Sequence, residues 1–538
     1  MKVDKKASTK QASKLINWKN FIIPLIIFIV ALSIRIIGLK FDFPLFTHPD
    51  ENFLMSPLIQ MSAKHTLDPG TYVYPAFPSF YSNFFLLNGL SLLKFGMNYS
   101  WVYWQDPFFF FTATRWMTAI QGALIPVIAF LIGKKFNNNS FAIVSALLFT
   151  FYPPFVLHSH YVTVDIPLTL YIMLVLLFTM NYLTTDKKFW LTLASVMATI
   201  ATLEKYPGLL SIGIILVAIG IKAFKKDEQG NKLGWKFFFK TTGTSALICI
   251  LSVLVLAPQL LIHFDIAWKQ IVNEARPTHL GADGLGWGGN ILYYFKDFYQ
   301  NSGLIILIFV VIGLIAIVLM KDPNYLLLLF GIGYWIGLSV LALHHSRWSL
   351  PMIISPLFLA AFGVSKIWQL SEKKKVARIL VVVALTMVFL PFVFKGINTS
   401  IMLTWKDTRN IALNYMGNHG IDVENTVSDG YTPHYPNSKT DIFAFNIFEP
   451  KEKKYIVFSS IMSDRYAAEP ERYIRENAFY NTARSKLELV QEFHPDPEPV
   501  TLIEHFQVTL EYLNRQISKS TSSFTRGPKL EIYKLPEN

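Results

Sequence analysis

The chain has 538 residues, 52% of them apolar and only 16% charged, with a mean hydropathy of +0.37. A soluble globular chain carries about 25% charged residues, so an ordinary soluble domain is excluded, and a single cysteine, Cys249, excludes a disulfide scaffold. The net charge of +13 lies in short Lys clusters between apolar runs, with no long basic stripe of interleaved aromatics, which argues for a polytopic membrane protein and against nucleic acid as a partner.

The basic start, MKVDKKASTKQASK, precedes an apolar run with no small-residue cleavage site after it, so the run is expected to stay as a membrane helix. Apolar runs that could cross a bilayer recur at 20–38, 113–133, 140–157, 165–183, 190–204, 207–223, 238–262, 303–320, 325–343, 349–368 and 378–395. The fifth is short and needs burial in a bundle. With the N-terminus in the cytoplasm, GKKFNNN, TTDKK, KAFKKDEQGNKLGWKFFFK, KD and SEKKKVAR all fall on the cytoplasmic side, as the positive-inside rule asks. The outer face then receives the segment 39–112, HSHYVTVD, LEKYPG, a Gly-rich loop over 263–302, and HHSRWS. YPAFPSFYSNFFLLNGLSLLKFG, inside 39–112, is apolar, but counting it as a span would turn every later Lys cluster outward; it is read as helices lying at the interface. After about residue 396 charge returns. DTRNIALNYMGNHG reads as a helix closed by Gly420, and TDIFAFNIF, KKYIVFSS, LELVQEF and KLEIYKL as short strands. The expected organisation is a basic cytoplasmic N-terminus (1–19), an α-helical polytopic membrane domain of about eleven helices (20–395), and a small extracytoplasmic α/β domain (396–538).

Ionisable residues at membrane edges are costly unless they reach water, and often serve function. Asp50 and Glu51, in THPDENF, follow the first span. A carboxylate held at the bundle mouth can take a proton from an acceptor hydroxyl. Arg115, Lys205 in LEKYPG and Arg347 in HHSRWSLP fall on the same side as Asp50. Arg115 could equally be a helix-end arginine reaching for water, and Glu204 could neutralise Lys205. Cations converging near carboxylates suit a phosphorylated leaving group attacked by an oxygen nucleophile. His158, His160 and Asp165 could hold a divalent metal, although the spacing fits no strong zinc signature and interfacial hydrogen bonding explains the histidines as well. Asp165 also suits a helix N-terminus. His279 lies in a loop that could close over a substrate or simply connect two spans.

Taken together, the acidic pair PDE, YPAFPSF, TRWMTAIQGALIPVIAFLIGKKF, HSHYVTVDIPL, LEKYPGLL and SRWSLPMIISPL resemble the GT-C glycosyltransferases of the protein O-mannosyltransferase and aminoarabinose transferase type, the glycosyltransferase family 39-like group. The likeness runs over roughly residues 20–370. It implies sugar transfer from a polyprenyl-phosphate donor to a hydroxyl of a glycan, lipid or protein acceptor, outside the cytoplasm and with inversion. By that resemblance Asp50 is the base and Glu51 supports it. Arg115, Arg347 and Lys205 hold the donor phosphate, and His158, His160, Asp165 and His279 shape the site. Tyr74-Pro75-Ala76 stands where the eukaryotic mannosyltransferases carry an HPP-type segment, which leaves sugar and acceptor open. The rival class is a flippase for lipid-linked sugars; such transporters place ionisable residues near the midplane, whereas here they gather at one face.

Overall fold

In a bilayer the backbone must satisfy its own hydrogen bonds, so long apolar segments become helices. The computed structural model describes residues 19–226, 229–274, 285–320, 322–341, 343–372, 374–434, 442–449 and 452–536, and is mostly helical. Helix α1 (Lys19–Arg35) is followed in the 39–112 segment by α2 (Pro49–Ala63), α3 (Phe77–Phe95) and the single turn α4 (Tyr99–Val102). The bundle continues through α5 (Pro107–Lys134), α6 (Asn139–Phe151), α7 (Pro153–His158), α8 (Asp165–Thr185), α9 (Lys188–Glu204) and α10 (Ile212–Phe224). Next come α11 (Gly234–Leu256), α12 (Pro258–Ile262), α13 (Phe264–Glu274), α14 (Gly286–Met320), α15 (Phe330–Leu338), α16 (Leu350–Ser371) and α17 (Lys375–Met402).

Every predicted crossing has a helical counterpart. Among the described residues seven helical stretches are long and apolar enough to span a membrane: α5, α8, Tyr206–Phe224, α11, α14, Ser346–Ser371 and α17. Shorter apolar helices lie at Phe21–Arg35, Asn139–Phe151 and Pro323–Leu338. The short fifth run is α9, whose Leu191, Ala194, Ala198 and Ala201 are buried in the bundle core. Helix α3, like α9, is not among the membrane-length apolar helices. One expectation is overturned: 263–302 is not simply a loop, since α13 and the first half of α14 occupy much of it. Residues 275–284, including His279, lie outside the described residues. Gly303, at φ 78°, interrupts α14 at the position where the sequence places the start of a span, a conformation that glycine adopts without a Cβ penalty.

Small residues let α14 and α16 touch. A Cβ on Gly313 of α14 would meet the carbonyl oxygen of Leu359 at 1.9 Å, and one on Gly363 of α16 would meet that of Phe309 at 2.3 Å. This is the close backbone approach by which membrane helices pack. At one end of the bundle Lys135–Asn137, Leu183–Thr184 and Asp322–Tyr325 line a common cavity, and Lys222 pairs with Asp186. Three of the Lys-rich connections, those after α5, after α8 and at the end of α10, therefore meet at that end. The aromatic 39–112 segment forms a second core, in which Leu54, Leu58, Phe80 and Tyr99 pack on Phe110, Phe111, Val162 and Val164.

After α17 come β1 (Lys406–Asp407), α18 (Thr408–Asn418), β2 (Thr426–Ser428), β3 (Tyr455–Ser459), α19 (Ser460–Ala467), α20 (Ile474–Lys486), β4 (Glu488–Phe493), α21 (Leu502–Ser518), β5 (Thr525–Arg526) and β6 (Leu530–Lys534). The four-stranded sheet runs β2-β3-β6-β4, with β2 and β3 parallel and the other pairs antiparallel; β1 and β5 form a separate parallel pair. Three of the four sequence-predicted strands are present. The fourth, TDIFAFNIF, is turn-rich over 442–448, and its first two residues lie outside the described residues. Gly420 takes φ 69° just beyond α18, as its place after the helix requires. The β1–β5 pair reaches back to the membrane domain: Arg526 and Arg409 both pair with Asp42, Arg409 also holds Asp407 at 2.7 Å, and Asn410 donates to the carbonyl of Asp42 at 2.9 Å.

Candidate active site

Helix α2 begins Pro49-Asp50-Glu51, with both carboxylates in its first turn. Adjacent residues on a helix point in different directions, and here that separates their partners. Glu51 turns inward and is fully buried. It accepts from Arg115 Nε at 2.8 Å and Nη2 at 2.7 Å, and from the Val162 amide at 3.1 Å. Arg115, equally buried on α5, gives its remaining Nη1 contacts to the carbonyls of Leu39 and Phe41 and stacks its guanidinium 3.6 Å over the Phe41 ring. The pair ties the loop before α2 to α5, and Arg115 presents no exposed donor.

Asp50 turns to the mouth of the bundle. Its Oδ2 lies 2.8 Å from Arg347 Nη1, and Arg347 Nε also approaches Asp165 Oδ2 at 3.7 Å. Asp165, the first residue of α8, accepts from Lys205 Nζ at 2.7 Å. Lys205 follows the last residue of α9 and lies against the faces of Trp348 and Tyr74, at 5.1 and 5.4 Å. Asp50, Asp165, Lys205 and Arg347 thus line one small cleft with Phe53, Leu54, Tyr74, Thr163 and Val164. Four residues far apart in the chain, each singled out from the sequence, come together in an alternating chain of charge. Glu204 does not neutralise Lys205 by direct pairing; its carboxylate accepts from the Ser79 amide and hydroxyl, pinning the start of α3 to the end of α9.

The histidines divide. His158 lies close enough to Asp165 and Arg347 to feel their charge, and its Nδ1 is buried without a hydrogen-bond partner among the described residues. His160 is held elsewhere: both ring nitrogens lie 2.9 Å from backbone carbonyls, those of Val156 and Ile37. This overturns the metal option for His158, His160 and Asp165, because His160 is fully buried with both nitrogens engaged. No metal-binding group of three or more His, Cys, Asp or Glu occurs among the described residues.

Sequence reasoning gave several neighbours no role. His48, just before α2, stacks 4.3 Å from Tyr161, and burial lowers it below the ordinary histidine value despite the opposing pull of Glu51 and Asp50. Burial, aided by Arg347 and Lys205, pushes His345 down to about 3. Arg465 lies within electrostatic reach of His345, and Tyr431 within reach of Arg347, so the C-terminal segment borders the cleft. A His-Pro-Asp run and a His-His-Ser-Arg run were the only sequence signals for the first two; Tyr431 and Arg465 had none.

Residues 109–256 match the model of the dolichyl-phosphate-mannose-protein mannosyltransferase family, a stretch that contains Arg115, His158, Asp165 and Lys205. Among solved structures the chain is similar to the oligosaccharyltransferase of Archaeoglobus fulgidus in its apo form, at 11% identity over 97% of this chain and 89% of that one, with a TM-score of 0.54. It is also similar to ArnT from Cupriavidus metallidurans: in the apo state at 13% identity over 88% and 96% of the two chains (TM-score 0.48), and bound to undecaprenyl phosphate at 12% identity over 96% and 98% (TM-score 0.47). No curated protein matches the chain. The family match over 109–256 and the fold shared with the oligosaccharyltransferase bear out the resemblance to GT-C transferases: the chain is a multi-pass membrane glycosyltransferase.

Proposed function

We propose that this membrane glycosyltransferase moves a sugar from a polyprenyl-phosphate donor to an acceptor hydroxyl on the extracytoplasmic side, with inversion at the anomeric carbon. The observation that carries the proposal is the cleft in which Asp50 meets Arg347, and Arg347 meets the Asp165–Lys205 pair. In this reading the acceptor oxygen attacks the anomeric carbon while Asp50 takes its proton. The bond from that carbon to the phosphate oxygen breaks, and the electron pair leaves with the polyprenyl phosphate. Arg347 and Lys205 stabilise the charge that develops there. Arg347 already holds Asp50, so a donor phosphate that draws on Arg347 loosens that ion pair and frees the carboxylate for the acceptor. Asp165 keeps Lys205 and Arg347 in place. Arg115 is reassigned from phosphate binding to holding Glu51, and Glu51 supports Asp50 by fixing α2 rather than by direct contact. His158 borders the site as a shaping residue.

The proposed topology has the N-terminus in the cytoplasm, eleven crossings, and 396–538 outside. It is supported by the grouping of three Lys-rich connections, after α5, after α8 and at the end of α10, at the end of α8 opposite Asp165. The undecaprenyl phosphate bound to ArnT is in keeping with a lipid donor here. The test is reconstitution into vesicles with a radiolabelled sugar on polyprenyl phosphate. The proposal expects labelled acceptor with the opposite anomeric configuration. Movement of intact donor between leaflets, with no transfer, would favour the flippase.

A further inference from the structure

The cleft takes two side chains from one short turn. Ser346–Ser349 is a single stretch of 3-10 helix, from which Arg347 reaches Asp50 at 2.8 Å and the Trp348 ring lies 5.1 Å from Lys205 Nζ. A 3-10 turn of this length carries few hydrogen bonds of its own, so its position depends on what holds it from outside.

The first half of α14 holds it. Asn290, Tyr293, Asp297 and Asn301 recur at i, i+3, i+7 and i+11 and so lie along one face of that helix. Asn290 is 1% exposed, and its Nδ2 donates to the carbonyls of Ser339 and Leu341 at 3.2 and 2.6 Å. The Tyr293 and His344 rings meet with centroids 4.0 Å apart. Asp297 reaches the turn itself. Its Oδ1 accepts from Ser346 Oγ at 2.8 Å, and Ser349 Oγ, which donates to the Ser346 carbonyl at 2.6 Å, approaches Oδ2 at 3.4 Å. Asn301 Nδ2 donates to the Asp297 carbonyl at 2.8 Å and lies 3.3 Å from Oδ1, which orients the carboxylate. Two residues later the helix breaks at Gly303, and Lys395 Nζ of α17 donates to the Gln300 carbonyl at 2.5 Å. The face is anchored beside the break and follows the chain from 339 to 349 level by level. A carboxylate in such a helix is costly, but an ionised acceptor holds a hydroxyl about twice as strongly as a neutral one. Ser346, the neighbour of Arg347, receives that hold.

We propose that Asp297 is a positioning residue for the donor phosphate: through Ser346 it fixes the turn that aims Arg347 between Asp50 and Asp165. Asp297 touches neither donor nor acceptor. The inference rests on the reading of Arg347 as a phosphate-binding cation and extends it to the element that aims the cation.

The test is a double-mutant cycle on the full chain in detergent, with undecaprenyl phosphate as the probe. Asp297→Ala removes the acceptor oxygens, and Ser346→Ala removes the hydroxyl that they hold. Each single variant should raise the Kd for the probe about tenfold, the scale of one lost hydrogen bond to a charged group, with the number of binding sites per chain unchanged. The double variant should match the weaker-binding single one to within about twofold, because both changes cut the same link. A merely structural role would lower the number of sites and leave the Kd alone. That result, an unchanged Kd in both single variants, or losses that multiply in full would overturn the proposal. If Asp297→Ala fails to fold, Ser346→Ala is set against Ser346→Thr, which keeps the hydroxyl; only the alanine variant should weaken binding, and equal binding by the two would overturn the proposal. Arg347→Leu is measured beside them. Binding unaffected by Arg347→Leu, or no binding to the unmodified chain, would overturn the phosphate reading itself, whereas loss in Arg347→Leu alone would overturn only the role of Asp297.

Discussion

Asp50 and Glu51 are neighbours whose roles diverge because a helix turns between them. Replacing Arg115 by Leu leaves Glu51 buried without its cation, a loss of about 3–5 kcal/mol, so thermal stability in detergent should collapse. Arg347→Leu should instead keep its fold and lose donor use by about 2–5 kcal/mol, read as kcat/KM for the lipid donor. The reverse pattern, a stable Arg115 variant with donor use lost, would return Arg115 to phosphate binding. His48 and His345 are held neutral by burial, while the unfolded chain protonates them near 6.5. Below that value the unfolded state binds more protons, so stability falls as pH drops from about 6.5 toward about 3. Melting compared at about pH 7 and about pH 5 should show the loss, and His345→Gln should reduce it. Asp50, Lys205, Asp165 and Arg347 were legible in the sequence because charge beside apolar runs is conspicuous. Their pairing was not, because it depends on how α2, α8, α9 and the start of α16 meet.

Among the elements, α14 and α16 show what apolar patterning reveals and what it hides. The spans were visible from length and hydropathy, and Gly303 marks the start of one of them. The crossing at Gly313 and Gly363 was invisible, since a glycine that admits a neighbouring backbone looks the same in sequence as one in a loop. Gly313→Val drives a side chain into the carbonyl of Leu359 and should cost at least about 1–3 kcal/mol. The expected outcome is a lower melting temperature with the donor's KM little changed. Helices α13 and early α14 escaped notice for a related reason: the glycines between them suggested a continuous loop, and the amphipathic pattern of FDIAWKQIVNE was subordinated to that signal.

For the molecule as a whole, three of the Lys-rich connections meet at one end of the bundle, and the ionised cleft lies at the opposite end of α8. A cysteine placed at Asn137 should react from the cytoplasmic side, and one at Asn414, on the polar α18, from the outside, when labelled with a membrane-impermeant reagent. Reaction of both from the same side would overturn the proposed topology. The role of the C-terminal unit could not be read from its strands. It emerges from Arg409 and Arg526 reaching Asp42, six residues before His48. The central claim is that Asp50 accepts the acceptor's proton. Its most direct test is sugar transfer by Asp50→Asn in lipid vesicles, measured beside donor binding to the same variant. The account predicts a rate lower by about 10²–10⁴ with donor still bound; transfer at the unmodified rate would contradict it.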